Sequence, residues 1–382
     1  MTGRWLVSGL PGELRWAALD AEGRALDFRV ERADRPGAAG DLCLGRVVAL
    51  DKDLEAAFVD IGLARPGFLP LAGLARRPGE GEALAVRVLR AAAPDKGVKL
   101  AAAPDAERPS GVRPPVLLAR SEGLLEALLA LTDAPEAILV DDEASLRRLQ
   151  AALAARPELL SSLRLAGGAE AAAVEAGLSE LLAALLDPEV ALAGGGRLWI
   201  EPTRALVAVD VDRGAARDAD ALNEAAATML ARQLRLRDLS GLIAVDFLDP
   251  SGPAARAALR VRFEAALAEQ AEGCELGRLG GDGLALVTRR RARPALHELV
   301  SEPAPGGGWR REPAALAFEL LRRARLAAAA PRLRLLVSRR VALALQGPGR
   351  AALEALGARR GHAIELVEEA ARADELPEIV LG

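Results

Sequence analysis

In the second half of the chain, apolar positions fall into short runs that end in aspartate. Ala205 to Val209 leads into Asp210-Val211-Asp212, and Gly241 to Val245 leads into Asp246-Phe247-Leu248-Asp249. Apolar runs of this length, closed by turn residues, predict buried strands, and the helical spacing from Asp218 to Leu239 predicts one amphipathic helix between them. A strand–helix–strand unit sets its strands parallel and close, with equivalent ends side by side. Asp210 and Asp246 are therefore expected to converge at the carboxyl ends of the two strands.

The first hundred residues read as strands rather than helices. Trp5 to Val7 and Arg15 to Leu19 read as strands around a Pro11-Gly12 turn, and Leu26 to Glu31 as a third. From Asp41 the runs Leu42 to Leu50, Ala56 to Ile61, Gly67 to Leu69, Ala83 to Leu89 and Gly97 to Ala101 follow closely, with Gly, Pro and Asp between them. Short strands this dense suggest an OB-fold barrel. Such barrels hold unpaired nucleic acid by stacking bases on exposed aromatics, so Phe58 and Phe68 are either stacking residues or ordinary core. Pro104 to Pro115 reads as a linker, leading to a helix near Glu122 to Leu131. A strand at Ala137 to Val140 and helices at Glu143 to Ala155 and Glu170 to Leu186 come next. Gly194-Gly195-Gly196 predicts a hairpin turn, because no Lys-Ser or Lys-Thr follows it as a phosphate loop requires.

A chain of 382 residues with 51% hydrophobic content holds two or three domains with a sizeable core. Its net charge of -4 excludes a uniformly basic coat, so any RNA contact must rest on local arginine clusters; Lys52, Lys96 and Lys99 are the only lysines. Cys43 and Cys274 lie far apart in apolar stretches, which offers neither a disulfide framework nor a zinc site of usual spacing. Met1 to Asp20 lacks the pattern of a leader, and no long uncharged apolar stretch follows, so the expected location is the cytoplasm with no membrane contact.

Two carboxylates that meet without a cation between them repel, and a hard divalent ion is the usual resolution. That arrangement suits metal-assisted phosphodiester chemistry. The alternative is structural, since aspartate also closes strands and caps helices, and Asp218 or Asp220 is expected to cap the intervening helix. Both readings stand for Asp210 and Asp246 on the residues alone. Arg232 and Arg235 share a helix face, with an acidic neighbour such as Asp238 within reach, and read as support. His297 and His362 read as surface or core residues.

Several segments resemble the ribonuclease E/G family. Gly40-Asp41-Leu42-Cys43-Leu44-Gly45-Arg46-Val47, Glu55 to Gly62 and Pro66 to Pro70 resemble its RNA-binding OB domain. Ile200-Glu201-Pro202-Thr203, Asp210-Val211-Asp212, Ala231 to Leu239, Gly241 to Phe247 and Thr288-Arg289-Arg290-Arg291 follow its order and spacing, and Leu333 to Val380 resembles its small C-terminal module. The resemblance implies an α/β multidomain fold. Its parts are an OB-fold β-barrel (39–103) inserted in a degenerate ribonuclease-H-like scaffold (1–38 and, with the linker, 104–190), a DNase-I-like catalytic subdomain (191–300), and a linker helix with a small α/β module (301–382).

The same resemblance implies a Mg2+-dependent endoribonuclease that hydrolyses single-stranded RNA to 5′-phosphate products. Asp210 and Asp246 would hold the ion. Asp212 would stand where the family usually has asparagine, as an outer ligand or a looser orienting group, and Asp249 would end its strand. Phe58 and Phe68 would stack bases, Lys96 would meet the RNA backbone, and Arg289 and Arg291 would steady phosphates near the metal. Ser301 and Ala304 occupy the places of the zinc-link cysteines, so no zinc-linked dimer is expected. No arginine–threonine pair follows the linker, so loss of the 5′-end sensor is expected. A non-catalytic or weakly catalytic RNA-binding regulatory paralogue is the competing class.

Overall fold

The Pro11-Gly12 turn, with Gly12 at φ 96°, folds β1 (Thr2–Leu10) back on β2 (Glu13–Asp20), and β3 (Ala25–Arg32) completes an antiparallel meander. Glycine takes that φ at little steric cost, which permits so tight a turn. The computed structural model describes residues 2–381 other than 35–36, 38, 64, 91, 93–96, 108–110, 122 and 328–331.

Beyond β3 the chain leaves this sheet and builds a barrel. β4 (Leu42–Asp51), β5 (Ala56–Asp60), β6 (Gly67–Pro70), β7 (Ala83–Arg90) and β8 (Lys99–Ala102) pair in the ring β4-β5-β6-β8-β7-β4, and β9 (Val116–Ala119) adds to β4 outside it. Two glycines let the walls approach. A Cβ on Gly45 would lie 2.5 Å from Val59 Cγ1, and one on Gly67 would lie 2.5 Å from Leu100 Cδ1. Val47, Ala57, Val59, Leu69, Val86 and Leu100 fill the interior. The strand alternation therefore turns Phe58 and Phe68 outward, half-buried.

After α1 (Gly123–Leu129) the chain returns to the first sheet. β10 (Ala137–Val140) joins β1 in parallel; α2 (Glu143–Ala152) and α3 (Pro157–Ser162) lead to β11 (Leu163–Leu165), and α4 (Gly168–Leu186) follows, giving the order β11-β10-β1-β2-β3. One face buries Trp5 stacked on Trp16, with ring centroids 5.3 Å apart, against Leu149 and Leu153. The other packs on α4 through Leu178 and Leu182.

The second sheet has the order β12-β13-β14-β15-β17-β16. β12 (Glu189–Ala191) and β13 (Arg197–Pro202) form a hairpin around the expected glycine turn, where the Leu192 amide donates to the Gly196 carbonyl. β14 (Val207–Asp212), α5 (Ala219–Leu236) and β15 (Gly241–Asp246) form the strand–helix–strand unit, followed by α6 (Pro253–Gln270), β16 (Cys274–Leu279) and β17 (Leu284–Arg289). Val207, Val209, Val211, Ile243, Val245, Ala285 and Val287 face α5 and α6 in one core.

At the end of the chain come α7 (Leu296–Val300), a hairpin of β18 (Ser301–Pro303) and β19 (Trp309–Arg311), and α8 (Pro313–Leu326). β20 (Leu333–Val337), α9 (Arg339–Gln346), α10 (Arg350–Arg360), β21 (Glu365–Glu368) and β22 (Glu378–Leu381) form a small module with sheet order β21-β20-β22. Ser301 and Ala304 stand in the β18–β19 hairpin, where the Ala304 amide donates to Gly308. Among the described residues no helix is long and apolar enough to cross a membrane.

Candidate active site

β14 and β15 run parallel and adjacent, and their register sets Asp210 directly beside Asp246. Since side chains alternate across a strand, both carboxylates project from the face of the sheet opposite α5 and α6. That face is uncovered, with Leu242, Leu284 and Leu286 exposed on it beside the pair. The carboxylates thus lie on an open sheet surface, and not only at a strand end as the sequence pattern suggests.

Neither Asp210 nor Asp246 has a hydrogen bond or ion pair among the described residues. Partial burial, then the negative charges of Asp246 and Asp212, raise the Asp210 pKa above its ordinary value. Two exposed oxygen donors with mutual repulsion and no cation partner suit a hard divalent ion. Among the described residues no group of three or more His, Cys, Asp or Glu is placed to hold a metal. The donor set fits Mg2+, which favours one or two carboxylates plus water and substrate phosphate over an all-protein cage. Asp212 lies on the same face but is already engaged, 3.2 Å from Arg197 and accepting from the Gly214 amide at 3.0 Å. Asp249 is exposed beyond the strand end.

The helix between the strands is fixed at both ends. Asp218 caps α5 by accepting from the Ala221 amide, whereas Asp220 reaches across to the amide and hydroxyl of Ser251. Arg235 pairs with Asp27 at 3.8 Å rather than with Asp238, because Asp238 leaves the helix at φ 49° and meets Arg29 and Arg293 instead. Arg232 donates to the Ala25 carbonyl and Arg237 to Gln233.

Three residues beside the carboxylates or the barrel aromatics escape a reading of local pattern. Asn223, buried in α5, donates to the Leu248 carbonyl at 2.8 Å and accepts from the Leu248 amide at 3.0 Å. This two-point clamp holds the backbone two residues beyond Asp246. Its signal was a polar residue on the apolar stripe shared with Ala227 and Leu230. Asn223→Ala strands the half-buried Leu248 peptide group and is expected to cost about 1 kcal/mol, read by urea unfolding. Trp199 stands opposite Asp210 across β13 and β14, and Lys99 stands beside Phe68 in the barrel.

Phe58 and Phe68 are cross-strand partners with ring centroids 6.1 Å apart in an edge-on pair. With exposed Lys99 they form a row on the outer barrel wall. Lys96 lies outside the described residues. Arg289 and Arg291 are not brought to the carboxylates. Arg289 pairs in register with Gly241, at the far end of β15 from Asp246 and roughly 17 Å away at about 3.3 Å per residue. Its guanidinium donates to the Leu234 and Leu239 carbonyls at 2.6 and 2.9 Å, and Arg291 makes a two-point pair with Glu298. The local pattern of a basic run could not reveal that β17 is antiparallel to β15.

A family model described as the Ribonuclease E/G family matches residues 103–292. Ribonuclease E of Escherichia coli (strain K12) is 25% identical over 415 residues, covering 81% of this chain and 39% of that protein. Ribonuclease G of the same organism is 24% identical over 429 residues, covering 84% of this chain and 87% of that protein. Ribonuclease E of Nostoc sp. (strain PCC 7120) is 37% identical over 130 residues, 32% of this chain and 19% of that protein. The matched part is less than half of each ribonuclease E named here.

Proposed function

The chain belongs to the ribonuclease E/G family, and from that premise we propose that it is a Mg2+-dependent endoribonuclease acting on single-stranded RNA. Its products carry 5′-phosphates, and its work is RNA processing or decay in the cytoplasm. In this reading the barrel is an OB-fold RNA-binding domain (39–103) set into a ribonuclease-H-like scaffold (1–38 and 104–190). The second sheet is a DNase-I-like catalytic subdomain (191–300), and 301–382 is a small accessory module.

The observation that carries the reading is the register that places two unpartnered carboxylates side by side on an open sheet face. Asp210 and Asp246 would hold the ion. When bound, Mg2+ supplies Lewis-acid polarisation of a phosphate and lowers the pKa of water at the site. The Asn223 clamp keeps the backbone after Asp246 in place. Arg197 pairs with Asp212 and so reduces the negative charge that an incoming phosphate meets. No protein base is required of His297, which burial pushes down to about 4.

RNA would reach the pair from the barrel, with bases against Phe58 and Phe68 and phosphates near Lys96 and Lys99. Base-on-aromatic stacking contributes about 1–3 kcal/mol per base. The double variant Phe58→Ala/Phe68→Ala is therefore expected to bind a short unstructured RNA at least about tenfold more weakly, measured by fluorescence anisotropy in EDTA. The direct test of function incubates the purified chain with a 5′-labelled unstructured RNA, with and without Mg2+. Discrete Mg2+-dependent fragments whose downstream ends ligate without prior phosphorylation support the reading. Binding without cleavage would identify a regulatory RNA-binding protein instead.

A further inference from the structure

A cleft of about 1110 Å³ opens at the amino-terminal ends of β14 and β15, between the barrel, the second sheet and the β18–β19 hairpin. The carboxylate pair is not part of its lining. Arginines gather there in a chain of net charge -4: Arg90 comes from barrel strand β7, Arg204 from the turn between β13 and β14, and Arg289, Arg290 and Arg291 from the end of β17. Only Glu201 and Glu298 oppose them within the lining. Arg289 and Arg291 are engaged within the chain as described above. Arg90, Arg204 and Arg290 are exposed, and their guanidinium groups have no partner among the described residues. They are available to a ligand.

Trp309 supplies a different chemistry to the same cleft. It is 40% exposed, the one aromatic side chain among the described residues exposed to that degree. Its indole N–H donates to the Pro202 carbonyl at 3.1 Å, and its ring meets His297 edge-on with centroids 4.4 Å apart. An exposed indole held at two points is a rigid platform, so stacking on it costs little ordering of the protein. The cleft is also continuous with the active face. Leu242 lines it and stands on the same side of β15 as Asp246, roughly 13 Å away at about 3.3 Å per residue.

We propose that this cleft is a second binding site for single-stranded RNA, taking a segment of the strand remote from the scissile phosphate. A base stacks on Trp309, and phosphates contact Arg204, Arg290 and Arg90. Cations that carry no internal partner, set beside an aromatic platform, match the repeating phosphate and base of an unpaired strand. The assignment rests on the reading of this chain as an RNA-cleaving protein and adds a site to it.

The test measures binding of a fluorescein-labelled 20-nucleotide oligouridine in EDTA across a salt series, for the wild-type chain, Trp309→Ala and Arg204→Glu/Arg290→Glu. Circular dichroism confirms folding, and Arg204→Ala serves as a milder second variant. Trp309→Ala is expected to weaken binding about tenfold or more. The double charge reversal is expected to flatten the slope of log Kd against log salt by about 1.4, the loss of two phosphate contacts on a single strand. Folded variants that bind with wild-type affinity and salt slope overturn the second site. Variants that alter only sedimentation overturn it too, by making the cleft a contact between copies. If the wild-type chain neither binds nor cleaves RNA, the underlying function fails, an outcome separate from loss of the cleft site alone.

Discussion

Asp210→Asn and Asp246→Asn are each expected to lower the proposed Mg2+-dependent cleavage by about 10³-fold or more, with the fold intact. Each change removes one of the two charged donors that the β14–β15 register brings together. A metal at such a site provides several kcal/mol of transition-state stabilisation, and every 1.36 kcal/mol is tenfold in rate. Stability moves the other way. The Asp210 pKa is raised in the folded chain by burial and by the charges of Asp246 and Asp212. For an acid whose folded pKa exceeds its unfolded one, ionisation opposes folding: the opposition is absent below the unfolded value and complete above the folded one. Without Mg2+ at neutral pH, Asp210→Asn is therefore expected to melt no lower than wild type, while losing the stabilisation that added Mg2+ gives the wild type. Protons compete for the same oxygens, so Mg2+ binding weakens on acidification sooner than an ordinary aspartate would require. Single-turnover cleavage and Mg2+-dependent melting curves check all of these outcomes. A variant that cleaves like wild type removes the carboxylate pair from the chemistry.

Arg322→Ala is expected to cost about 3–5 kcal/mol of stability, the range for removing one member of a buried ion pair. Arg322 of α8 is fully buried and donates to Glu175 at 3.1 Å, to the Glu13 side chain at 3.3 Å, to the Glu13 carbonyl at 3.2 Å and to the Ser8 hydroxyl. Arg15 joins Glu13 at 2.8 Å, and Arg325 joins Asp141. Three arginines thus face three carboxylates where β1, β2, α4 and α8 meet. Deleting Arg322 leaves two arginines facing three buried carboxylates. Urea unfolding measures the loss. Arg350→Ala is the control: its pair with Glu354 is exposed, and a change within about 0.5 kcal/mol is expected.

The second sheet was legible because its signals are local. Runs ending in Asp210 and Asp246, with a helix between them, specify a parallel pair, and that pair forms with the two residues in register. The glycine hairpin before β13 and the Asp218 cap are legible for the same reason. Barrel strands were readable as short apolar runs separated by Gly, Pro and Asp, and side-chain alternation along a strand then decides that Phe58 and Phe68 face outward once the inner set is known. The basic run at 289–291 shows the limit. The family resemblance implied phosphates beside the metal for Arg289 and Arg291, but a strand's direction is fixed by its partner, and β17 carries those arginines to the opposite end of the sheet.

Sequence alone determined the barrel strands, the glycine hairpin and the strand–helix–strand unit, and which acidic residues end its two strands, since apolar runs and turn chemistry act over a few neighbouring residues. Tertiary structure decided that the carboxylate-bearing face stays open, that Asn223 grips the backbone beyond Asp246, and that an arginine-lined cleft joins barrel to sheet. It also decided which charges are buried: Arg322 meets Glu13 across a separation of 309 residues. Such contacts depend on how whole layers pack, and no local pattern of apolar and polar positions encodes a partner that distant.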